Sequence, residues 1–153
     1  DPYARGAFLG ISYLHGQNHF VRSIMEGVAF SQLDCLSIMR GLNITSNKIV
    51  LKIILFGGGS RSSIWRQVMA DILNLKVVTL NVEEGAAYGA ALLAGVGSGI
   101  YSNIEEACSK KIKEDLQINP IKENVERYMK IYEIYKSLYM DLKDDFKKLS
   151  SLQ

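Results

Sequence analysis

The chain has 153 residues, 48% of them hydrophobic, and its 18 basic against 16 acidic side chains leave a formal charge of +2. That is enough apolar material for one well-buried domain, and positive residues scattered apart from pairs starting at Lys110 and Lys147 argue against nucleic acid or another polyanion as partner. No apolar run approaches the ~18 residues of a membrane span, no signal peptide opens the chain, and Cys35 and Cys108 lack a neighbour at metal-ligand spacing, so a reduced, cytoplasmic setting is expected.

Asp1-Pro2-Tyr3 reads as a loop without an initiator Met, so a piece of something longer is expected. Ala7 to Ile11 is a short apolar run read as a strand. After the polar break Ser12 to Asn18, Val21, Met25, Ala29, Leu33 and Leu36 recur at helical spacing, and Gly41 ends that helix. Lys48 to Phe56 predicts a second strand, Ser62 or Ser63 a cap for a helix over Ile64 to Leu73, and Lys76 to Leu80 a third strand. A helix of small residues follows from Gly85 to Val96, then a break at Gly97-Ser98-Gly99, a short helix capped by Asn103, and an extended stretch from Lys111 to Pro120. From Ile121 a long helix carries Tyr128, Ile131, Tyr135, Leu138, Leu142, Phe146 and Leu149 as one stripe. Strands alternating with helices predict an α/β fold, a mixed, partly parallel sheet with helices packed on it.

The densest chemical signal is Gly57-Gly58-Gly59 between a strand and a helix, an arrangement that can turn backbone N–H groups toward a phosphate. It does not fit the common nucleotide motifs. The sixth place of a dinucleotide fingerprint is Ser62, no acidic residue follows at the next strand end, and a Walker A loop would need Gly-Lys-Ser/Thr. The bland reading is a tight turn, because glycine is the default wherever φ must be positive. A second segment, Glu83 to Ala91, is small at nearly every place, which allows close approach of a backbone or a flat ligand, with Glu84 favoured at the helix N-terminus. Alone it reads as close packing; with the turn it suggests two walls of one cleft.

A third segment adds a resemblance. Gly6-Ala-Phe-Leu-Gly-Ile11, seven residues, then His19-Phe-Val-Arg-Ser-Ile-Met-Glu26 is similar, place for place, to the second signature of the FGGY carbohydrate kinases, and Asp1 to Gly6 resembles its lead-in. FGGGSRSSIWRQVMADIL and EEGAAYGAALLAGVGSGIYSNIEEA resemble the family's adenosine-side turn and the small-residue helix beside it. Gly57 to Gln67 is worded most like the xylulose kinases; glycerol kinases share the lead-in but usually carry Asp before the glycines and Asn near Ser62, where this chain has Phe56 and Ser62.

The resemblance implies the C-terminal lobe, actin-like and ribonuclease-H-like, of a two-lobed kinase that phosphorylates a sugar with ATP. By position, Gly57, Gly58 and Gly59 would let the backbone approach ribose and α-phosphate, with Ser60, Arg61 and Ser62 bordering adenine and ribose. The catalytic Asp, the acidic residues linked to Mg²⁺ and most of the sugar pocket would lie in the other lobe, so the isolated chain is expected to be inactive, a partner of ATP or ADP only. Asp71 is expected to be exposed or capping, the pair His15 and His19 to lack a third metal ligand, and His19, Arg22 and Glu26 to share a helical face in a polar contact or hinge. Trp65 reads as a helix anchor or an adenine-stacking ring, and the tail stripe, spaced 3-4-3-4-4-3, as the closing helix of the lobe that also permits a homodimer. An alternative of another class is a non-catalytic binding or assembly module on the same lobe; an upstream phosphate loop and catalytic Asp would decide for the kinase.

Overall fold

The computed structural model describes residues 1–42, 50–82 and 85–152. In chain order these form α1 (Gln17–Gly41), β1 (Lys52–Leu55), a single 3₁₀ turn (Gly58–Arg61), α2 (Ser63–Leu73), β2 (Lys76–Leu80), α3 (Gly85–Gly97), α4 (Ile104–Lys111), β3 (Glu114–Ile118) and α5 (Lys122–Ser151). The sheet is mixed, in the order β1-β2-β3. β1 runs parallel to β2 with Ile53 opposite Val77, and β3 is antiparallel to β2 with Val77 opposite Ile118. The register slips between Val78 and Leu80, and there the Thr79 hydroxyl accepts the Leu116 amide at 3.1 Å, so the bulge leaves that N–H satisfied.

The core lies where α2 is held between α1, α5 and one face of the sheet. Val68, Ala70, Ile72 and Val77 are fully buried there, together with Ala29, Phe30 and Leu33 of α1 and Tyr128 and Tyr132 of α5. Burying a side chain such as Ile72 contributes about 1.5–3 kcal/mol. Local signals set the ends of α2. The Ser62 hydroxyl accepts the Trp65 amide at 3.2 Å, and Asn74 closes the helix in the left-handed region at φ 49°, which Asn tolerates better than most residues. Asn103 caps α4 in the same manner, accepting the Glu106 amide at 2.8 Å.

Three expectations change in the folded chain. Ala7 to Ile11 forms no strand, because no described strand lies beside it to pair with. The strand expected from Lys48 begins at Lys52; Lys48 and Ile49 lie outside the described residues, as do Glu83 and Glu84 and with them the role expected of Glu84. The buried face of α5 follows the predicted stripe from Tyr128 to Phe146, with Tyr132 added to it and Leu149 left out. Tyr128, Tyr132 and Phe146 are its buried residues while Leu149 is 52% exposed, and the ring of Phe30 lies 6.0, 5.8 and 5.3 Å from those of Tyr128, Tyr132 and Tyr135. The upper stripe is thus spent on packing within the chain. No described helix is long and apolar enough to cross a membrane.

Candidate functional site

The glycine turn sits at the carboxyl end of β1, the side of a parallel pair from which ligands are commonly bound. Its three glycines meet different demands. Gly57 has φ 79°, which disfavours any side chain. Gly59 faces Trp65, whose ring atoms would lie 3.3 Å from an added Cβ. Gly58 has neither constraint: φ is not positive, and no described residue lies within 4 Å of where its Cβ would sit. The amides of Gly58 and Gly59 donate no backbone hydrogen bond to a described residue, as expected for the first turn of a helical segment.

The rest of the turn is braced from inside. Ser60 donates its amide (3.0 Å) and its hydroxyl (2.8 Å) to the Gly57 carbonyl, leaving the hydroxyl oxygen able to accept. Ser62 accepts from Trp65, leaving its hydroxyl proton able to donate. Arg66, which sequence reasoning passed over, donates from Nη1 to the Ser60 carbonyl at 2.6 Å, and its buried Nε has no hydrogen-bond partner among the described residues. Arg61 is exposed. The signal for Arg66 was available, since it opens the second turn of a helix that starts immediately after the loop.

The second wall is partly assembled. Phe56, the residue before the glycines, lines a cavity of about 450 Å³ together with Leu80 and with Gly85, Ala86 and Gly89 of α3, whereas the glycines of the turn do not line it. A Cβ on Gly85 would stand 3.1 Å from the Phe56 ring, and one on Gly95 would stand 2.9 Å from Tyr101. Close ring packing therefore accounts for two of the small residues of α3, the bland reading, while Ala87, Ala90 and Ala91 remain exposed.

Asp71 corrects the expectation of exposure and keeps that of capping. It is fully buried, and its side-chain oxygens accept from the Gln67 amide group (2.8 Å), the Ile121 backbone N–H (2.7 Å) and the Asn124 amide group (2.7 Å). Because Ile121 is the N-cap residue of α5, Asp71 pins the beginning of the last helix to α2. Two of its three donors come from about fifty positions away in sequence, so no local pattern could show it.

The polar contact expected of α1 is present, without His19. Arg22 donates to Glu26 (2.7 Å) and to the Tyr128 hydroxyl (2.7 Å), and that hydroxyl donates to Glu26 (2.6 Å), which ties α1 to α5. Burial, then the bond to Glu26, pushes the Tyr128 phenol pKa above its ordinary value. His15 and His19 instead close local turns, each Nδ1 accepting a backbone amide, Ser12 at 2.9 Å and Gly16 at 3.1 Å. Trp65 is half-buried and packs on the core, the anchor reading.

Residues 1–98 match the C-terminal domain of the FGGY family of carbohydrate kinases. Over 144 residues the chain is 36% identical to a xylulose kinase of Bacillus subtilis (strain 168), covering 94% of this chain and 28% of that protein. It is 36% identical over 109 residues to a glycerol kinase of Saccharolobus islandicus (strain L.S.2.15 / Lassen #1), covering 69% of this chain and 21% of that one. The crystal structure of a ligand-bound xylulose kinase from Lactobacillus acidophilus superposes with a TM-score of 0.81 at 26% identity, over 97% of this chain and 29% of that protein. The chain thus spans less than a third of the length of these relatives, and its sheet and flanking helices have the actin-like architecture of their sugar-kinase lobes. Glycine turn, small-residue helix and amino-terminal signature fall in one chain in the expected order, and this chain belongs to the FGGY family of carbohydrate kinases.

Proposed function

We propose that this chain is the nucleotide-binding C-terminal lobe of a two-lobed kinase that transfers the γ-phosphoryl group of ATP to a sugar hydroxyl, D-xylulose being the favoured substrate. Gly58 carries the reading. Neither its backbone angles nor its surroundings require glycine for folding, so the absent side chain is explained by something that approaches the turn from outside. Ribose and α-phosphate fit that approach. The amides of Gly58 and Gly59, which donate to no described residue, favour an anion, the Ser62 hydroxyl can donate and the Ser60 hydroxyl oxygen can accept at the base and ribose, and Arg61 adds positive charge at the rim. Gly57 and the Trp65 buttress under Gly59 hold the turn in place before ligand arrives, which keeps the ordering cost of binding low.

This chain would orient nucleotide, and the general base would come from the other lobe, whose closure excludes water. Mg²⁺, which would neutralise charge developing between the β- and γ-phosphates, is assigned to that lobe too by the resemblance to the carbohydrate kinases. Xylulose is preferred to glycerol because the similarity to xylulose kinase runs through 94% of the chain against 69% for glycerol kinase, and because Phe56 and Ser62 depart from the glycerol kinase wording. Calorimetry with ATP and with ADP on the native chain and on Gly58→Val tests the site. Weak binding by the native chain and none by the variant is expected, and equal binding by both removes the turn from the site.

A further inference from the structure

Between residues 6–11 and the first half of α1 lies an open groove of about 720 Å³. Phe8, Leu9 and Ile11 line one side and are 49%, 66% and 56% exposed; Ile24 and Val28 line the other and are 56% and 46% exposed. A contiguous apolar surface rimmed by polar residues marks a contact site. The backbone adds a second, independent observation. Ala7 to Ile11 has the composition of a strand, yet the amides of residues 6–11 donate no hydrogen bond to any described residue. An apolar run with a free row of N–H groups is a template for another strand. Two charged residues of the groove, Arg22 and Glu26, are already bonded to each other and to Tyr128, and Arg127 adds one further cation to the lining. An occupant therefore needs chiefly apolar side chains and backbone carbonyls.

Such a strand has a source in the rest of a carbohydrate kinase. The match covers 28% of the Bacillus subtilis relative and 29% of the Lactobacillus acidophilus structure, so most of such a kinase has no counterpart here. We infer that residues 6–9 accept, by strand addition, a strand from the part of a carbohydrate kinase that this chain does not contain, and that the side chains of that strand fill the groove against Ile24 and Val28. Gly10, with φ 77°, turns the chain away and sets the end of the pairing at Leu9. The inference rests on the reading of this chain as one lobe of a kinase, and it adds which of the exposed faces receives the rest.

Amide hydrogen exchange tests it. The chain is measured alone at two concentrations, and again joined covalently to the portion of Bacillus subtilis xylulose kinase outside the match; the same portion is also added in trans, which serves if the hybrid does not fold. The amides of Ala7, Phe8 and Leu9 are expected to exchange freely in the chain alone and to slow about tenfold or more in the hybrid or the mixture. Leu9→Asp and Ile24→Asp should abolish that protection, whereas Ile134→Asp, at a 53% exposed site on α5, should leave it unchanged. Free exchange in a folded hybrid overturns the inference. So does protection that rises with concentration in the chain alone, which would identify a second copy as the occupant, and so does failure of both hybrid and mixture to assemble. ATP binding is read in the same samples. Binding without protection overturns the docking alone, and protection without binding upholds the docking while overturning the nucleotide reading.

Discussion

Two regions of this chain are built to opposite rules. Around Asp71 on α2, polar groups are matched in the dry interior: three donors meet one side chain, and Val68, Ile72 and Val77 are fully buried beside it. Around the glycine turn and the groove at residues 6–11, backbone amides lack described partners, Phe8, Leu9 and Phe56 are exposed, and Gly58 is a glycine for no reason internal to the described fold. The first region supplies stability and the second is left open to something else. Asp71 and the glycine turn both hang on α2, whose first residues follow the turn and whose last turn carries Asp71, so the rigid region aims the turn. A loop placed by a well-packed helix is the usual way a mobile ligand meets a fixed backbone.

Substitutions should separate the two regions, and the largest effect belongs to the core. Ile72→Ala should destabilise the chain by about 2–5 kcal/mol in urea denaturation, since the residue has no exposure and its neighbours cannot all collapse into the space. Asp71→Ala should cost about 3 kcal/mol by leaving buried donors at Gln67, Ile121 and Asn124 unpaired, and exchange at the start of α5 should accelerate more than exchange elsewhere. If the two variants were no worse than a surface change, the contrast would collapse. Gly95→Ala should cost about 1–3 kcal/mol in the same assay, because the new methyl would stand 2.9 Å from the Tyr101 ring. Gly58→Val, in the open region, should stay within about 0.5 kcal/mol of the native chain while losing nucleotide affinity in the titration described above.

The smallest expected effect is a pH dependence confined to α4. The Lys110 ammonium, then the Ser102 backbone N–H, hold the Glu106 carboxyl at a pKa of about 2, below its ordinary value of 4.5. A lowered folded-state pKa means that its stabilising contribution is complete above the unfolded value and is lost as pH falls from about 4.5 toward about 2. The Ser102 amide resonance should follow that window in an NMR titration, and Glu106→Gln should flatten it. A midpoint at the ordinary glutamate value would show that the cap does not hold the charged form.

How much of this was legible from residues alone varies along the chain, and the reason is the range of the interactions. The Ser62 cap, the Asn103 cap, the parallel strands on either side of α2 and the long last helix each follow from neighbours within a few positions, and each was expected within a few residues of where it lies. The strand at Ala7 to Ile11 was read from composition, but a strand exists only with a partner, and no described strand is beside it. Tyr132 was missed because the face of α5 that turns inward is chosen by Phe30, about a hundred positions earlier.

By itself the sequence determined the family, through three ordered motifs, and the local geometry of the turn, because glycine, serine caps and helical spacing act through adjacent backbone. Tertiary structure alone decided which glycine is free of folding demands, that Asp71 is buried as the fastening of α5, and which apolar face stays uncovered. Those outcomes depend on atoms brought together from distant positions, where burial turns an ordinary carboxyl into a hub and an ordinary glycine into an opening.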